Sequence, residues 1–156
     1  MDKYEKFEEE CEKIRAENNN ILDEFKQLLI DSGLSKKTIN KHVSNVDFYI
    51  NDYLLYDDVF EATDGVNFLD SFFTSFFPYK CLWSTPSSVR SMAASLKKFY
   101  GFMLNKNQVE QDDYDCLCDE IKEQIDEWAE ASEGFQENDD WFWGGRFFSG
   151  ISIDNR

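Results

Sequence analysis

The N-terminal segment has apolar or near-apolar positions in alternating steps of three and four, which is a heptad pattern. Asn18 occupies a polar position within this pattern, and Asn at such a position can fix the register of a two-stranded coiled coil. The three asparagines at residues 18–20 instead favour two helices with a break between them, because Asn is a poor helix former. We therefore expect either a broken pair of helices, the first packed on the domain, or a coiled coil that forms a homodimer. The apolar positions are Tyr4, Phe7, Cys11, Ile14, Ile21, Phe25 and Leu28.

Two further helical patterns follow between residues 31 and 78. Gly33 suits a helix C-terminus, and Ser35 suits the N-cap of a helix over about residues 36–55. A third helix is predicted to begin at Asp64 or Asn67 and to end at Pro78. Its aromatic stripe is typical of a buried core rather than of a ligand site. The stripe consists of Val66, Leu69, Phe72, Phe73, Phe76 and Phe77.

The second half of the chain contains two longer helical patterns. Thr85 and Pro86 indicate a helix start, with Thr as the cap and Pro in the first turn, and this helix is predicted to reach about residue 105. A fifth helix is predicted over about residues 111–131, with Asp and Glu crowded on its outer face. Its inward side chains are Tyr114, Leu117, Cys118, Ile121, Ile125 and Trp128.

The segment over residues 132–156 has a different character. Gly144 and Gly145 separate two aromatic runs, a pattern typical of a β-hairpin. Because an isolated hairpin is marginal in water, we expect these aromatics to dock on the domain itself or on a partner protein. The candidate partner-binding residues are Trp141, Phe142, Trp143, Arg146, Phe147 and Phe148.

Charge is unevenly distributed along the chain, whose formal net charge is −16. Residues 107–156 carry 15 acids and three bases, whereas residues 80–106 carry five bases and no acid. A locally basic surface is therefore compatible with a strongly acidic C-terminal third. The five bases are Lys80, Arg90, Lys97, Lys98 and Lys106.

Two motifs lie about fifty residues apart in the middle of the chain. Residues 33–39 join a Gly-Leu-Ser turn to a helix that opens with Thr and an aliphatic residue, and residues 87–100 join a serine-rich turn to a helix that reaches Phe-Tyr. This order resembles the SAM-like core-binding domain of tyrosine recombinases and phage integrases, over about residues 21–131. The predicted fold class is all-α: a four- to five-helix SAM-like bundle, with an N-terminal helical extension (1–20) and a short acidic, aromatic C-terminal tail (132–156).

The resemblance implies a set of DNA contacts. In that family the domain wraps one side of the duplex with basic and hydroxyl residues of its second and fourth helices. Hydroxyl groups and lysines suit phosphate contacts, although a solvated outer face is the alternative for each lysine, and a packed or rim position is the simpler interpretation of His42. The matching positions are Ser35, Lys36, Lys37, Thr38, Lys41, His42, Ser87, Ser88, Arg90, Lys97 and Lys98.

Catalytic chemistry is not expected. A recombinase needs a separate catalytic domain with arginines, a lysine, histidines and a tyrosine nucleophile, whereas about 25 residues follow the resembling stretch, with Arg146 and Arg156 and no histidine. There is no Walker loop, and acid pairs such as those at residues 112–113 are predicted on an exposed helix face rather than in a cleft. One histidine leaves few possible zinc ligands. We therefore expect no enzyme, no cofactor and no metal.

The remaining expectations concern location and partners. No run approaches the roughly 18 apolar residues of a membrane span, and the cysteines are expected to be reduced, so we expect a cytoplasmic protein with no membrane partner. The favoured function is a non-catalytic DNA-binding or accessory module from a mobile element, with double-stranded DNA as partner. The alternative is an acidic inhibitor or DNA-mimic decoy that binds a basic nucleic-acid-binding protein. A combination is an acidic tail that folds over the basic face and restrains DNA binding.

Overall fold

The computed structural model describes residues 2–81 and 84–143, with side chains described up to residue 132. The described chain is helical and contains no strand, which confirms the all-α prediction. The α-helices are α1 (Lys3–Asp31), α2 (Lys36–Asp47), α3 (Leu69–Ser71), α4 (Phe77–Lys80), α5 (Pro86–Asn105) and α6 (Gln111–Trp143). Two π-helical segments, Phe48–Tyr53 and Phe72–Phe76, and one 3-10 helix, Ala62–Asn67, complete the described secondary structure.

The first helix, α1, runs without interruption through the three asparagines. The predicted break at residues 18–20 is therefore wrong. Asn18 is buried, and its Nδ2 donates hydrogen bonds to Asn51 Oδ1 (2.8 Å) and to the Ile50 carbonyl oxygen (3.3 Å), while Asn19 and Asn20 are exposed. Two tertiary hydrogen bonds thus offset the low helix propensity of Asn.

Local capping chemistry sets the boundary between α1 and α2 as predicted. Gly33 has a φ of 82°, in the left-handed region that glycine adopts without a steric penalty. The Ser35 hydroxyl then accepts a hydrogen bond from the Thr38 backbone N–H (3.2 Å), and α2 begins at Lys36. The helix ends at Asp47 and passes directly into the π-helical segment, which reaches Tyr53.

The third helical region consists of several short segments. The prediction that it ends at Pro78 is wrong. The π-helical segment Phe72–Phe76 stops just before α4, and Pro78 lies in the first turn of α4. Proline is tolerated there because the first backbone N–H groups of a helix need no intrahelical acceptor. Two buried tyrosines hold the preceding 3-10 helix: Tyr49 Oη donates to the Gly65 carbonyl oxygen and Tyr100 Oη to the Ala62 carbonyl oxygen, each at 2.7 Å.

The last two helices pack against each other and run antiparallel, since Arg90 of α5 meets Asp126 and Gly101 lies beside Tyr114. Thr85 caps α5 and exchanges hydrogen bonds with Ser88, as the Thr-Pro start predicts. The α6 helix is longer than predicted and includes residues 141–143, so the first aromatic run of the predicted hairpin is helical rather than a strand. The remainder of the hairpin prediction lies outside the described residues.

The core lies between all these helices and is rich in aromatic side chains. Phe25 of α1 packs edge-on against Phe99 of α5, with ring centroids 5.3 Å apart. Trp128 of α6 stacks on Phe73 at 4.5 Å and donates from Nε1 to Asp70 Oδ1 (3.1 Å). The aromatic stripe of residues 66–77 is buried, which confirms its prediction as core.

Candidate nucleic-acid interface between α2 and α5

Helices α2 and α5 meet along a polar seam. His42 Nδ1 lies 2.7 Å from Ser95 Oγ, and Asn45 Nδ2 donates to Ser91 Oγ at 3.2 Å. Because the later residue of α2 contacts the earlier residue of α5, the two helices run antiparallel. The N-terminal turns of α2 consequently lie beside the C-terminal half of α5, and two of the predicted contact segments come together.

Ser95 is the centre of this seam. It is fully buried, and its Oγ accepts a second hydrogen bond from Asn45 Nδ2 (3.0 Å) besides its contact with His42. Ser95 Oγ donates to His42 Nδ1 when the neutral imidazole carries its proton on Nε2, and it accepts from Nδ1–H when the proton is on Nδ1. Ser91 and Asn45 are half-buried and line the outer edge of the seam.

His42 is packed rather than free on the surface: 7% of its area is exposed. Burial lowers the pKa of this histidine, and the charges of Lys41 and Lys98 lower it further. The structure thus supports the simpler interpretation of His42 as a packed residue.

Lys41 and Lys98 are both exposed and belong to different helices. Lys41 precedes His42 in α2, and Lys98 follows Ser95 by one helical turn in α5, so the contact between His42 and Ser95 places the two lysines on either side of one seam. Lys36 and Lys37 are exposed in the first turn of α2. We call the surface formed by Lys36, Lys37, Lys41 and Lys98 the basic face.

The two hydroxyl residues at the start of α2, Ser35 and Thr38, form hydrogen bonds with each other. Ser35 Oγ caps α2 by accepting from the Thr38 backbone N–H, and its hydroxyl donates to Thr38 Oγ1 at 3.0 Å. Both side chains remain next to Lys36 and Lys37 at the helix N-terminus, where backbone N–H groups and the helix dipole favour a negative charge.

The remaining candidates lie elsewhere on α5. Ser88 takes part in the cap of α5, and Ser87 is exposed beside it, at the end of the helix far from Lys98. Arg90 forms an ion pair with Asp126 of α6, with an N–O distance of 2.9 Å. Lys97 is exposed next to Lys98. Ser87, Ser88 and Arg90 thus lie near the start of α5, apart from Lys97 and the basic face, and Arg90 is already paired.

An acidic cleft between the third helical region and α6 was not predicted as a site. It is an open cleft of about 450 Å³ lined by Asp70, Cys116, Asp119, Glu120, Glu123 and Gln124. Partial burial raises the pKa of Glu120, and the charge of Asp70 raises it further. The spacing of the α6 acids indicated a shared face, but the approach of Asp70 to that face depends on its bond with Trp128 and is not visible in the sequence.

The predicted heptad positions of α1 serve mainly the protein's own core. Cys11, Asn18 and Phe25 are buried against the bundle, and Cys11 Sγ lies 3.9 Å from the Leu55 carbonyl oxygen. These three heptad positions are thus covered by the protein's own core. A homodimer through the heptads stays a prediction. The side chains of the partner-binding candidates at residues 141–148 lie outside the described region.

Comparisons of the chain with protein-family models, curated proteins and solved structures found no match. The resemblance to recombinase core-binding domains therefore stays a prediction. Within residues 2–81 and the described part from residue 84 onward, no helix is long and apolar enough to cross a membrane. In the same residues no cluster of three or more His, Cys, Asp or Glu side chains has the arrangement of a metal site, and the four cysteines are free thiols.

Proposed function

We propose that this protein is a non-catalytic module that binds double-stranded DNA through the basic face of α2 and α5. The observation that supports this most directly is the contact between His42 and Ser95, which brings Lys41 and Lys98 of two helices to one seam. Lys36 and Lys37 are also exposed, in the first turn of the helix that carries Lys41. Lysines that approach phosphates release counterions from DNA, and this release gives most of the affinity in sequence-independent binding.

The net charge of −16 does not oppose this proposal everywhere on the surface. Most of the excess acid belongs to residues 107–156, and in the described part of α6 Asp126 faces Arg90 of α5, whereas α2 meets α5 through His42 and Asn45. Charges separated by more than about 8 Å are largely screened at physiological salt. Duplex binding is therefore expected to be weak, salt-sensitive and centred on the basic face.

The test is duplex binding by the full chain, measured by fluorescence anisotropy from low to physiological salt. The double variant Lys41→Glu plus Lys98→Glu should lose binding by tenfold or more. Lys6→Glu plus Lys13→Glu is the matched control, because it changes the net charge equally at two exposed lysines of α1.

Each phosphate contact contributes about one unit to the slope of log affinity against log salt, so the Lys41 and Lys98 variant should also flatten that slope by about two. Equal losses in the two double variants would show that only total charge matters and would contradict the proposed face. Absence of duplex binding at low salt would reject the function itself.

A second candidate function has its own observation. Two exposed acids of α6, Asp119 and Glu123, line the acidic cleft, and a third exposed acid of that helix, Asp126, already binds an arginine of the same chain as a phosphate would. We propose as the alternative that this acidic face binds a basic nucleic-acid-binding protein and competes with its DNA. Carboxylates at helical spacing present repeated negative charge to arginines, which bind carboxylate and phosphate with the same geometry.

The alternative is tested by displacement of a labelled duplex from a basic DNA-binding protein. Replacing the exposed α6 acids Asp119, Glu123 and Glu127 by their amides should abolish displacement. The matched control replaces three exposed acids of α1, Glu8, Glu9 and Glu12, by Gln. Displacement that survives the α6 changes, or that falls equally with the α1 changes, would count against a dedicated acidic face.

A further inference from the structure

The single histidine of the chain lies inside the seam that carries the basic face. Its imidazole is buried, and its Nδ1 is 2.7 Å from Ser95 Oγ, which is itself held by Asn45 at 3.0 Å. The side chain thus has a fixed position between α2 and α5. It sits directly beneath the surface on which Lys41 and Lys98 are exposed.

The hydrogen-bond arrangement suits a neutral imidazole in the free protein. Asn45 Nδ2 donates to Ser95 Oγ, and Ser95 Oγ donates to His42 Nδ1 in the tautomer that carries its proton on Nε2. In the other neutral tautomer, and in the imidazolium, Nδ1–H donates to Ser95 Oγ instead. The serine hydroxyl can then turn to a backbone carbonyl one turn earlier in α5, as helical serines commonly do.

The charged groups around His42 are cations. Lys41 on α2 and Lys98 on α5 act on the imidazole and oppose its protonation, together with burial. Helix α1 also packs on α2 but buries uncharged side chains, which are Cys11, Asn18, Leu22, Phe25 and Leu29. An anion that binds the two lysines would therefore neutralise their charges and reduce their repulsion of a protonated imidazole.

We infer that binding of a phosphate group between Lys41 and Lys98 is coupled to uptake of one proton by His42, which makes DNA binding by this face stronger at lower pH. The inference rests on the proposed DNA-binding function and names its regulation. The sign follows from linkage: the bound state holds more protons than the free state, so affinity rises as pH falls through the range in which His42 titrates. His42 acts from beneath the surface and does not itself contact the phosphate.

The experiment is an NMR titration of the tag-free full chain, in which the imidazole resonance belongs to the only histidine. The pKa of His42 is measured in the free protein and with a saturating short duplex, at constant ionic strength. A higher pKa in the bound state is expected. In parallel, duplex affinity should rise by about threefold or more between pH of about 7.5 and 5.5, beyond the rise shown by His42→Gln. The Gln variant keeps every other titrating group, so the difference isolates the histidine.

Two further variants separate local coupling from the general field of DNA. Lys41→Met plus Lys98→Met should remove the bound-state rise in the pKa of His42, whereas Lys6→Met plus Lys13→Met should keep it. Duplex binding with an unchanged pKa of His42 would overturn the coupling and leave the DNA-binding proposal intact. If no duplex binds, the DNA proposal fails, and dextran sulfate serves as the anion: a rise in the pKa of His42 that needs Lys41 and Lys98 would support the coupling, and no rise would overturn it.

Discussion

Asn18 of α1 donates a 2.8 Å hydrogen bond to Asn51 Oδ1, and Asn51 in turn donates from Nδ2 to Asp47 Oδ1 at 2.6 Å. The heptad pattern places Asn18 where a coiled coil would have a register-fixing Asn in its interface. In the fold it joins α1 to the end of α2 and the π-helical segment that follows. The position is polar because it satisfies a buried acceptor within the same chain.

Substitution of Asn18 distinguishes these two roles. Asn18→Ile should strengthen a coiled coil, because it makes the heptad interface fully apolar. In the bundle it should instead destabilise the fold by about 2 kcal/mol, since the Ile50 carbonyl oxygen and Asn51 Oδ1 lose their donor. Urea unfolding and sedimentation measure the two outcomes. Asn19→Ile, at an exposed position one residue along, is the control and should cost less than about 1 kcal/mol.

Gly65 should not tolerate a methyl group. An added Cβ would collide with Tyr100 Oη and would lie 2.9 Å from both Leu54 Cδ1 and Tyr49 Cε2, inside the tyrosine pair that holds the 3-10 helix. Gly65→Ala is expected to destabilise the protein by about 1–3 kcal/mol in urea unfolding.

Gly101→Ala is the matched control for this position. Gly101 lies in α5, four residues before its end, and its Cβ would lie 3.3 Å from Tyr114 Oη, the end of a half-buried side chain. Alanine also stabilises a helix interior by up to about 1 kcal/mol relative to glycine. A neutral or slightly stabilising effect is therefore expected, and equal losses at Gly65 and Gly101 would contradict the close packing around Gly65.

The ion pair between Arg90 and Asp126 should restrain anion binding. Both side chains are exposed, so Asp126→Asn should change the free energy of unfolding by less than about 1 kcal/mol. It frees the Arg90 guanidinium, and duplex affinity at low salt should rise by about two- to fivefold. Glu127→Gln removes the same charge from the neighbouring position. An equal rise in that variant would attribute the effect to net charge alone.

Glu120 should make a pH-dependent difference to stability. Partial burial and Asp70 raise its pKa in the folded state, so the folded protein holds this proton more tightly than the unfolded chain. Ionised Glu120 therefore opposes folding above its folded-state pKa and ceases to do so below its ordinary pKa. Glu120→Gln should be more stable than the native chain at pH 7, and the advantage should vanish at a pH of about 4. Thermal unfolding across this range measures the difference, and a constant difference at every pH would contradict the burial of this carboxylate.

The amino-acid sequence by itself determined the elements whose causes are local. Ser35 and Thr85 cap their helices through hydrogen bonds to residues three positions away, and Gly33 takes the left-handed conformation at the end of α1. The apolar spacing placed the core faces of α2, α5 and α6. Each of these signals acts within a turn or two of the chain, which is why it can be recognised from neighbouring residues alone.

Tertiary structure decided the features that depend on partners far along the chain. Asn18 keeps α1 unbroken through Asn51, 33 residues away, and His42 meets Ser95 across 53 residues. Asp126 pairs with Arg90, and Trp128 draws Asp70 to the acidic cleft across 58 residues. The physical reason is that a buried polar group is stabilised by whichever partner the fold brings within hydrogen-bond distance. Helical periodicity predicts the face of the helix on which a residue lies. Only the packing of the helices determines which residues that face contacts.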